Sequence, residues 1–494
     1  MNPAGSEATA TMNPPASSPH VVVVGAGLAG LAAGVAAADG GARVTVYERA
    51  PRLGGATWSF ERNGRWFDNG QHVFMRCCTA YRRFLDRVGV ADQVVQQRRL
   101  SVPVVRPGRR PARISRIAAP APLHLALSLL RYRPLAAGKR LRAMGTALAL
   151  RRLDPDHPDT DRITFGRWLR DRGESDRSIA GLWDLICLPT VNLRADDASL
   201  SLAVKVFRTG LLDDATGADL GWTRVPLAAL HGDAAVRCIT ERGGTVRLHT
   251  HVDAVGPGPS VRVDGELIDP DAVILAVPHD AVDALLPPGT VAHQEGLVGL
   301  GVSPIVNVQL VFDRPIMDVP FAAALDSPVQ FVFDRTEAAH WPAGSAASAG
   351  SPPHGKITAG GSSEAHPPGE QVVAVSQSAA FDEIGDRPAE LIERCRAALV
   401  DLFPRAAEAE VVDAVVTREH RATFAGRPGT RRLRPAATTA TDGLFVAGTW
   451  TDTGWPATME SAVRSGNEAA RLALAHCRTA KARSSSPERE RLGA

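Results

Sequence analysis

Gly25-Ala26-Gly27-Leu28-Ala29-Gly30 is the strongest chemical signal in the chain. At G-x-G-x-x-G spacing, Gly25 permits a tight turn, Gly27 leaves bare backbone for a pyrophosphate, and Gly30 lets a helix pack closely on a strand. Glu48 stands 18 residues after Gly30. A carboxylate there can accept hydrogen bonds from adenosine ribose hydroxyls and would repel a 2′-phosphate, which disfavours NADP. Alone, the motif would be a glycine-rich turn beside a solvated Glu. Arg49, Arg52, Gly54 and Gly55 follow at once, and a second group, Gly448, Thr449, Pro456, Ala457 and Thr458, lies near the other end.

Such residues need elements to hold them. Val21–Val24 reads as a buried strand of β-branched residues, Leu28–Asp39 as an Ala-rich helix ended by Gly40-Gly41, and Val44–Tyr47 as a second strand. Together they predict β-α-β. A helix N-terminus then offers free N–H groups and a positive dipole end to phosphates. Gly443–Gly448 reads as a strand, and Ala457–His476 as a helix with Pro456 suited to its first turn. Residues 117–153 read as helical with a break at Pro134. Asp161–Gly173 and Ile179–Val191 are further helices, and Ile305–Phe312 is a strand with one wetter face. Short strands are expected within 246–255 and 273–278.

The chain has 494 residues, 44% hydrophobic and 22% charged, with a net charge of +3. These values exclude a wholly disordered chain, a collagen and a disulfide miniprotein. The six cysteines form no C-x-x-C, which fits free thiols in a reducing, cytoplasmic compartment. Met1–Pro19 has no secretory pattern and is expected to be disordered, as is 478–494; 338–369, rich in Gly, Ser, Pro and Ala, reads as a flexible insertion. From Gln93 to Leu153 there are fourteen Lys or Arg and no Asp or Glu. That run is either a solvated face or a surface for anions. With few aromatics and no recognisable motif, nucleic acid is not an expected partner.

Arg52-Leu53-Gly54-Gly55 resembles the R-x-G-G stretch of flavin amine oxidases and carotenoid desaturases, where it runs beside the pyrophosphate and flavin. The resemblance becomes more specific at Asp68-Asn69-Gly70-Gln71-His72, Trp183–Asn192, Arg224-Val225-Pro226-Leu227, Pro304–Val308 and Gly454–Gly466. Over most of residues 20–477 the chain resembles the squalene-associated flavin desaturase-like family, the hydroxysqualene dehydroxylases of hopanoid synthesis. The resemblance implies FAD as cofactor and an α/β fold, a Rossmann-like FAD-binding domain interleaved with an α+β substrate domain. The implied division is FAD-binding at 20–110, 236–290 and 416–477, and substrate-binding at 111–235 and 291–415. Gly70, Gln71 and His72 would lie by the flavin, and Val252 would meet adenine through its backbone. Thr449 replaces the family's usual Asp.

The implied reaction exchanges an allylic hydroxyl of hydroxysqualene for hydrogen, giving squalene. Hydride comes from reduced flavin, in a site that excludes water. His72 is the candidate proton donor, with a structural hydrogen-bonded histidine as the plainer alternative; Asp68 reads better as a turn or cap residue. The basic run, with its leucines, would suit an anionic membrane surface at the inner face of the cell membrane. The electron donor is not legible. Rival readings are a carotenoid-type desaturase, an amine oxidase (although the chain has only three tyrosines) and a non-enzymatic isoprenoid binder.

Overall fold

A computed structural model describes residues 18–342 and 369–484. Its first layer is a five-stranded parallel sheet. In order across the sheet the strands are Thr245–Arg247, Arg43–Tyr47, His20–Val24, Ala272–Leu275 and Leu444–Val446. Val21–Val24 is fully buried, as a central strand covered on both faces should be. The helix Leu28–Asp39 covers one face and lies against the terminal helix Met459–Ser484. A β-carbon on Gly466 would stand 2.2 Å from the Ala29 carbonyl oxygen. The two helices therefore meet backbone to backbone, which brings the last element of the chain onto the first turn.

The second layer is a seven-stranded sheet drawn from 101–115, 303–334, 371–378 and 411–423. Its central strand, Ser303–Phe312, pairs antiparallel with Gln371–Ser378 and with Val411–Thr423. One face packs on the helix Pro388–Leu402 through Val306, Val308 and Leu310. Asn307 and Gln309 on the other face are also buried, so the wetter face expected for this strand is not solvated. Its amides bond the loop at 68–72 instead. A three-stranded sheet, with Leu220–Thr223 between Val73–Met75 and Val94–Gln96, lies beside this face.

The chain crosses between the layers repeatedly, giving an interleaved α/β architecture. The crossings differ from the expected divisions. Ser101–Val105 already belongs to the seven-stranded sheet, and Val411–Thr423 runs through the 415/416 boundary without a break. The expected helix at 161–173 shrinks to Phe165–Arg170, because the Thr164 hydroxyl caps Arg167 N–H and begins a new helix there. The terminal helix starts at Met459 and continues to Ser484, so the first seven residues of the expected tail are helical. Of the expected insertion, Ala338 and Ala339 are buried in a short helix, while 343–368 lie outside the described residues, as do 1–17 and 485–494.

Candidate functional site

The site begins where the first strand turns into its helix. Gly25 has φ +101°, and a β-carbon there would come within 2.6 Å of the Ala276 carbonyl oxygen. Gly30 is tighter, at 1.9 Å from the Gly25 carbonyl oxygen. Both positions therefore demand glycine for reasons internal to the protein. Gly27 differs, since a β-carbon there would meet only Gly55 Cα at 3.9 Å. Among the described residues nothing else comes within 4 Å on that side of the loop, and a bound pyrophosphate is what a bare backbone there would serve. Leu28 and Ala29 are buried in the first turn of the helix.

The second glycine pair seals this loop. Gly54 N–H donates to the Ala26 carbonyl at 2.9 Å, and Gly55 has φ +60° beside Gly27. Glu48 accepts from Ala26 N–H at 2.7 Å and Ala50 N–H at 2.8 Å, one to each carboxylate oxygen. It thus clamps the loop, and each oxygen keeps a lone pair for a ribose hydroxyl. Arg49 is exposed, and the Arg52 guanidinium stacks over Trp58 at 4.1 Å. Val252 lies in a strand two residues beyond Thr250, whose N–H donates to the Glu48 carbonyl. This places Val252 on the Glu48 side of the loop.

The closing strand arrives at the same place. Gly448, at φ +146°, donates its N–H to Ser465 Oγ of the terminal helix, and Trp450 Nε1 donates to the Val277 carbonyl just past Ala276. Thr449 contributes its carbonyl to the buried Arg434 guanidinium, whose pKa burial lowers to about 10. Pro456 and Ala457 lie before the terminal helix and not in its first turn. Thr453 holds 453–461 as a turn by accepting from Trp455 N–H and pairing with Ser461 Oγ. Thr458 is the cap, accepting from Ser461 N–H at 3.3 Å.

Beside the second glycine pair runs the loop at 68–72, where Asn69 Nδ2 donates to the Ala56 carbonyl. Asp68 pairs with Arg335 at 2.8 Å, both buried, and accepts from Ser59 Oγ and Leu227 N–H. It ends the strand Arg65–Asp68 and is a buried ion-pair anchor, where the sequence suggests a turn or cap residue. Asn307, Gln309 and Thr417 donate to the carbonyls of Asn69, Asp68 and Asn69, while Glu419 accepts from Asn69 Nδ2 and Trp58 Nε1. Gly70 faces Asn307: a β-carbon would stand 3.2 Å from its Nδ2. Gln71 Nε2 and Asn307 Oδ1 are buried with no hydrogen-bond partner among the described residues. A donor and an acceptor left open in this way fit the polar edge of a flavin ring.

His72 is half-buried, with Nδ1 donating to the Gly70 carbonyl at 3.0 Å. Burial lowers its pKa against the raising effect of that hydrogen bond, so the ring rests neutral with its lone pair on Nε2. His231 lies behind it, wholly buried and bonded to Tyr81 OH at 2.7 Å; burial, then His72, pushes its pKa down to about 3. Beyond His72 the surroundings become apolar. Val73, Val102, Leu220, Trp222 and Phe331 are half-buried against Phe321, Phe333 and Ala374. Trp222 meets Phe321 edge-on at 5.7 Å, and Phe331 stacks on Phe333 at 6.3 Å. The aromatic and aliphatic wall thus begins at Val73, the residue that follows His72.

Sequence reasoning missed Glu419, Arg335, Arg434 and Glu460. Glu460, on the terminal helix, is buried and accepts from Ala80 and Tyr81 N–H, capping the helix Thr79–Arg87. Glu419 is 350 residues from Asn69, and no local pattern reports such a pairing.

Comparison with known proteins agrees with this geometry. The profile of the family described as flavin containing amine oxidoreductase matches residues 28–474. A hydroxysqualene dehydroxylase of Rhodopseudomonas palustris is 28% identical over 93% of this chain and 99% of its own length. A zeta-carotene desaturase of Zea mays is 26% identical over 90% of this chain and 82% of its own. Cyclohexylamine oxidase from Brevibacterium oxydans superposes with a TM-score of 0.65 at 17% identity, covering 94% of this chain and 100% of that one. A glycine cradle, a clamping carboxylate and a closing helix meeting at one loop are what an adenine-flavin dinucleotide requires, and the chain belongs to the flavin containing amine oxidoreductase family, an oxidoreductase with FAD as its cofactor.

Proposed function

We propose that the chain replaces the allylic hydroxyl of hydroxysqualene with hydrogen, giving squalene. The observation that carries this reading is His72, a proton-handling ring one residue before the apolar wall that starts at Val73. A long hydrocarbon with one hydroxyl needs that pairing. End-to-end similarity to hydroxysqualene dehydroxylases supports it, since those relatives are covered over 99% of their length and the carotenoid desaturases over less. The three tyrosines, Tyr47, Tyr81 and Tyr132, are all buried, which gives no support to a tyrosine-framed amine oxidase site.

In this reading Gly25, Gly27, Gly54, Gly55 and Gly448 hold FAD, Glu48 takes its ribose hydroxyls and Val252 borders its adenine. When bound in reduced form, FAD supplies the hydride. Once it has taken up a second proton from solvent, His72 gives the departing hydroxyl that proton from Nε2 and returns to its neutral form, so one hydride and one proton enter and water leaves. Nδ1 stays on the Gly70 carbonyl and fixes the ring. Val73, Trp222 and Phe331 exclude water from the carbon that loses its hydroxyl.

A second reading has its own support. A neutral His72 with a free Nε2 lone pair suits a proton acceptor, as carotenoid-type desaturation would use. Anaerobic incubation of dithionite-reduced protein with hydroxysqualene should yield squalene by mass spectrometry. Failure there, with dehydrogenation of an isoprenoid by the oxidised protein, would replace the first reading with the second.

A further inference from the structure

The helix Ala137–Arg151 turns an apolar side to solvent. Gly138, Leu141, Gly145 and Leu148 recur at the spacing of one helix face, and all four are exposed. Surface helices ordinarily show the reverse arrangement. Leu141 is 62% exposed and Leu148 46%. Ile117, Leu123 and Leu130 precede them, so five of the nine exposed large apolar side chains among the described residues fall between 117 and 148. The inner side of the helix is properly packed through Ala143, Thr146 and Leu150. The leucines do not point outward for want of a core.

Within the stretch of chain that carries this patch, charge has one sign. No acid occurs from Gln93 to Leu153. Some cations there are committed to the fold: Arg116 to Asp219, Arg151 to Asp213, Arg140 and Arg142 to backbone carbonyls. Arg131, Arg133, Lys139 and Arg152 have no carboxylate partner among the described residues. Lys139 and Arg142 sit one residue from Gly138 and Leu141, which places them beside the apolar stripe and not on it.

We propose that this face docks on an anionic phospholipid bilayer, with the leucines in the acyl boundary and the free cations at the phosphates. Nucleic acid would use the cations but leave the leucines in water. A second copy would bring an equally basic face against this one. The core under the helix includes Leu125, Tyr132 and Leu135 and reaches Val102, Leu220 and Phe331, the wall beside His72. The docking surface itself does not depend on which isoprenoid that wall receives.

Flotation of the full-length holoprotein with phosphatidylcholine vesicles, with and without phosphatidylglycerol, tests this. The protein should float with the anionic vesicles and lose roughly tenfold in partitioning without them or in high salt. L141E/L148E should abolish flotation while keeping the flavin spectrum and melting temperature, since both leucines are exposed. R131Q/R133Q/K139Q/R152Q should remove the salt dependence. Flotation independent of phosphatidylglycerol, no flotation, or unchanged flotation of L141E/L148E would overturn the proposal. So would binding of a DNA duplex in preference to vesicles, or a dimer that L141E/L148E dissolves.

Discussion

The glycines of the first turn do different work, and substitution separates them. Gly30→Ala would drive a β-carbon into the Gly25 carbonyl, and roughly 3 kcal/mol or more of stability should be lost. Gly27→Ala meets nothing closer than 3.9 Å. It should leave the melting temperature of the cofactor-free protein unchanged and weaken FAD in a fluorescence titration. If Gly27→Ala bound FAD as tightly as the parent, the pyrophosphate would not lie against that residue. His72 carries the second residue-scale test. Its pKa is lowered by burial, so its acid form accumulates only below the ordinary value of 6.5. A proton-donating His72 makes turnover climb as pH falls; a proton-accepting one makes turnover fall. His72→Ala should flatten either profile and leave the flavin spectrum in place.

At the scale of elements, the joints between layers are polar and buried. Asp68→Ala would strand the Arg335 guanidinium in the interior, at a cost of about 3–5 kcal/mol by denaturant unfolding. Removing the cap with Thr458→Ala costs about 1 kcal/mol. These joints also mark what sequence reading reaches. The opening β-α-β unit, its glycines and the closing helix are legible because each leaves a pattern in consecutive residues (a β-branched run, a fixed glycine spacing, an Ala-rich helical stretch), although the contacts that demand Gly25 and Gly466 are distant in sequence. The closing helix starts at Met459 and not at Ala457, because Thr453 bonding to Ser461 keeps the stretch around Pro456 a turn even though Pro456 satisfies the local rule for a helix start. Asn307 and Gln309 read as a wet face because polar residues usually meet water; here they meet the carbonyls of a loop some 240 residues away.

Across the whole molecule, buried histidines set the response to acid. His20 is lowered to about 4 and His231 to about 3, chiefly by burial, and His72, His124 and His279 move the same way. In the unfolded chain each takes up a proton near 6.5, while in the fold each stays neutral until lower pH. The unfolded state therefore binds more protons, and stability falls as pH drops from about 6.5 toward 4, by on the order of a few kcal/mol. Melting curves across that range should show a steady decline, and a flat line would mean that these rings are hydrated.

The nucleotide sheet is assembled from three distant stretches, and its outer strand, Leu444–Val446, leaves the ribosome several hundred residues after His20–Val24. Its covering helix follows later still. During synthesis the glycine turn must therefore wait, half-walled, for several hundred residues. Loading of the cofactor then has to await the helix that begins at Met459, and a premature stop anywhere before that residue would yield a colourless product however well its opening unit had formed.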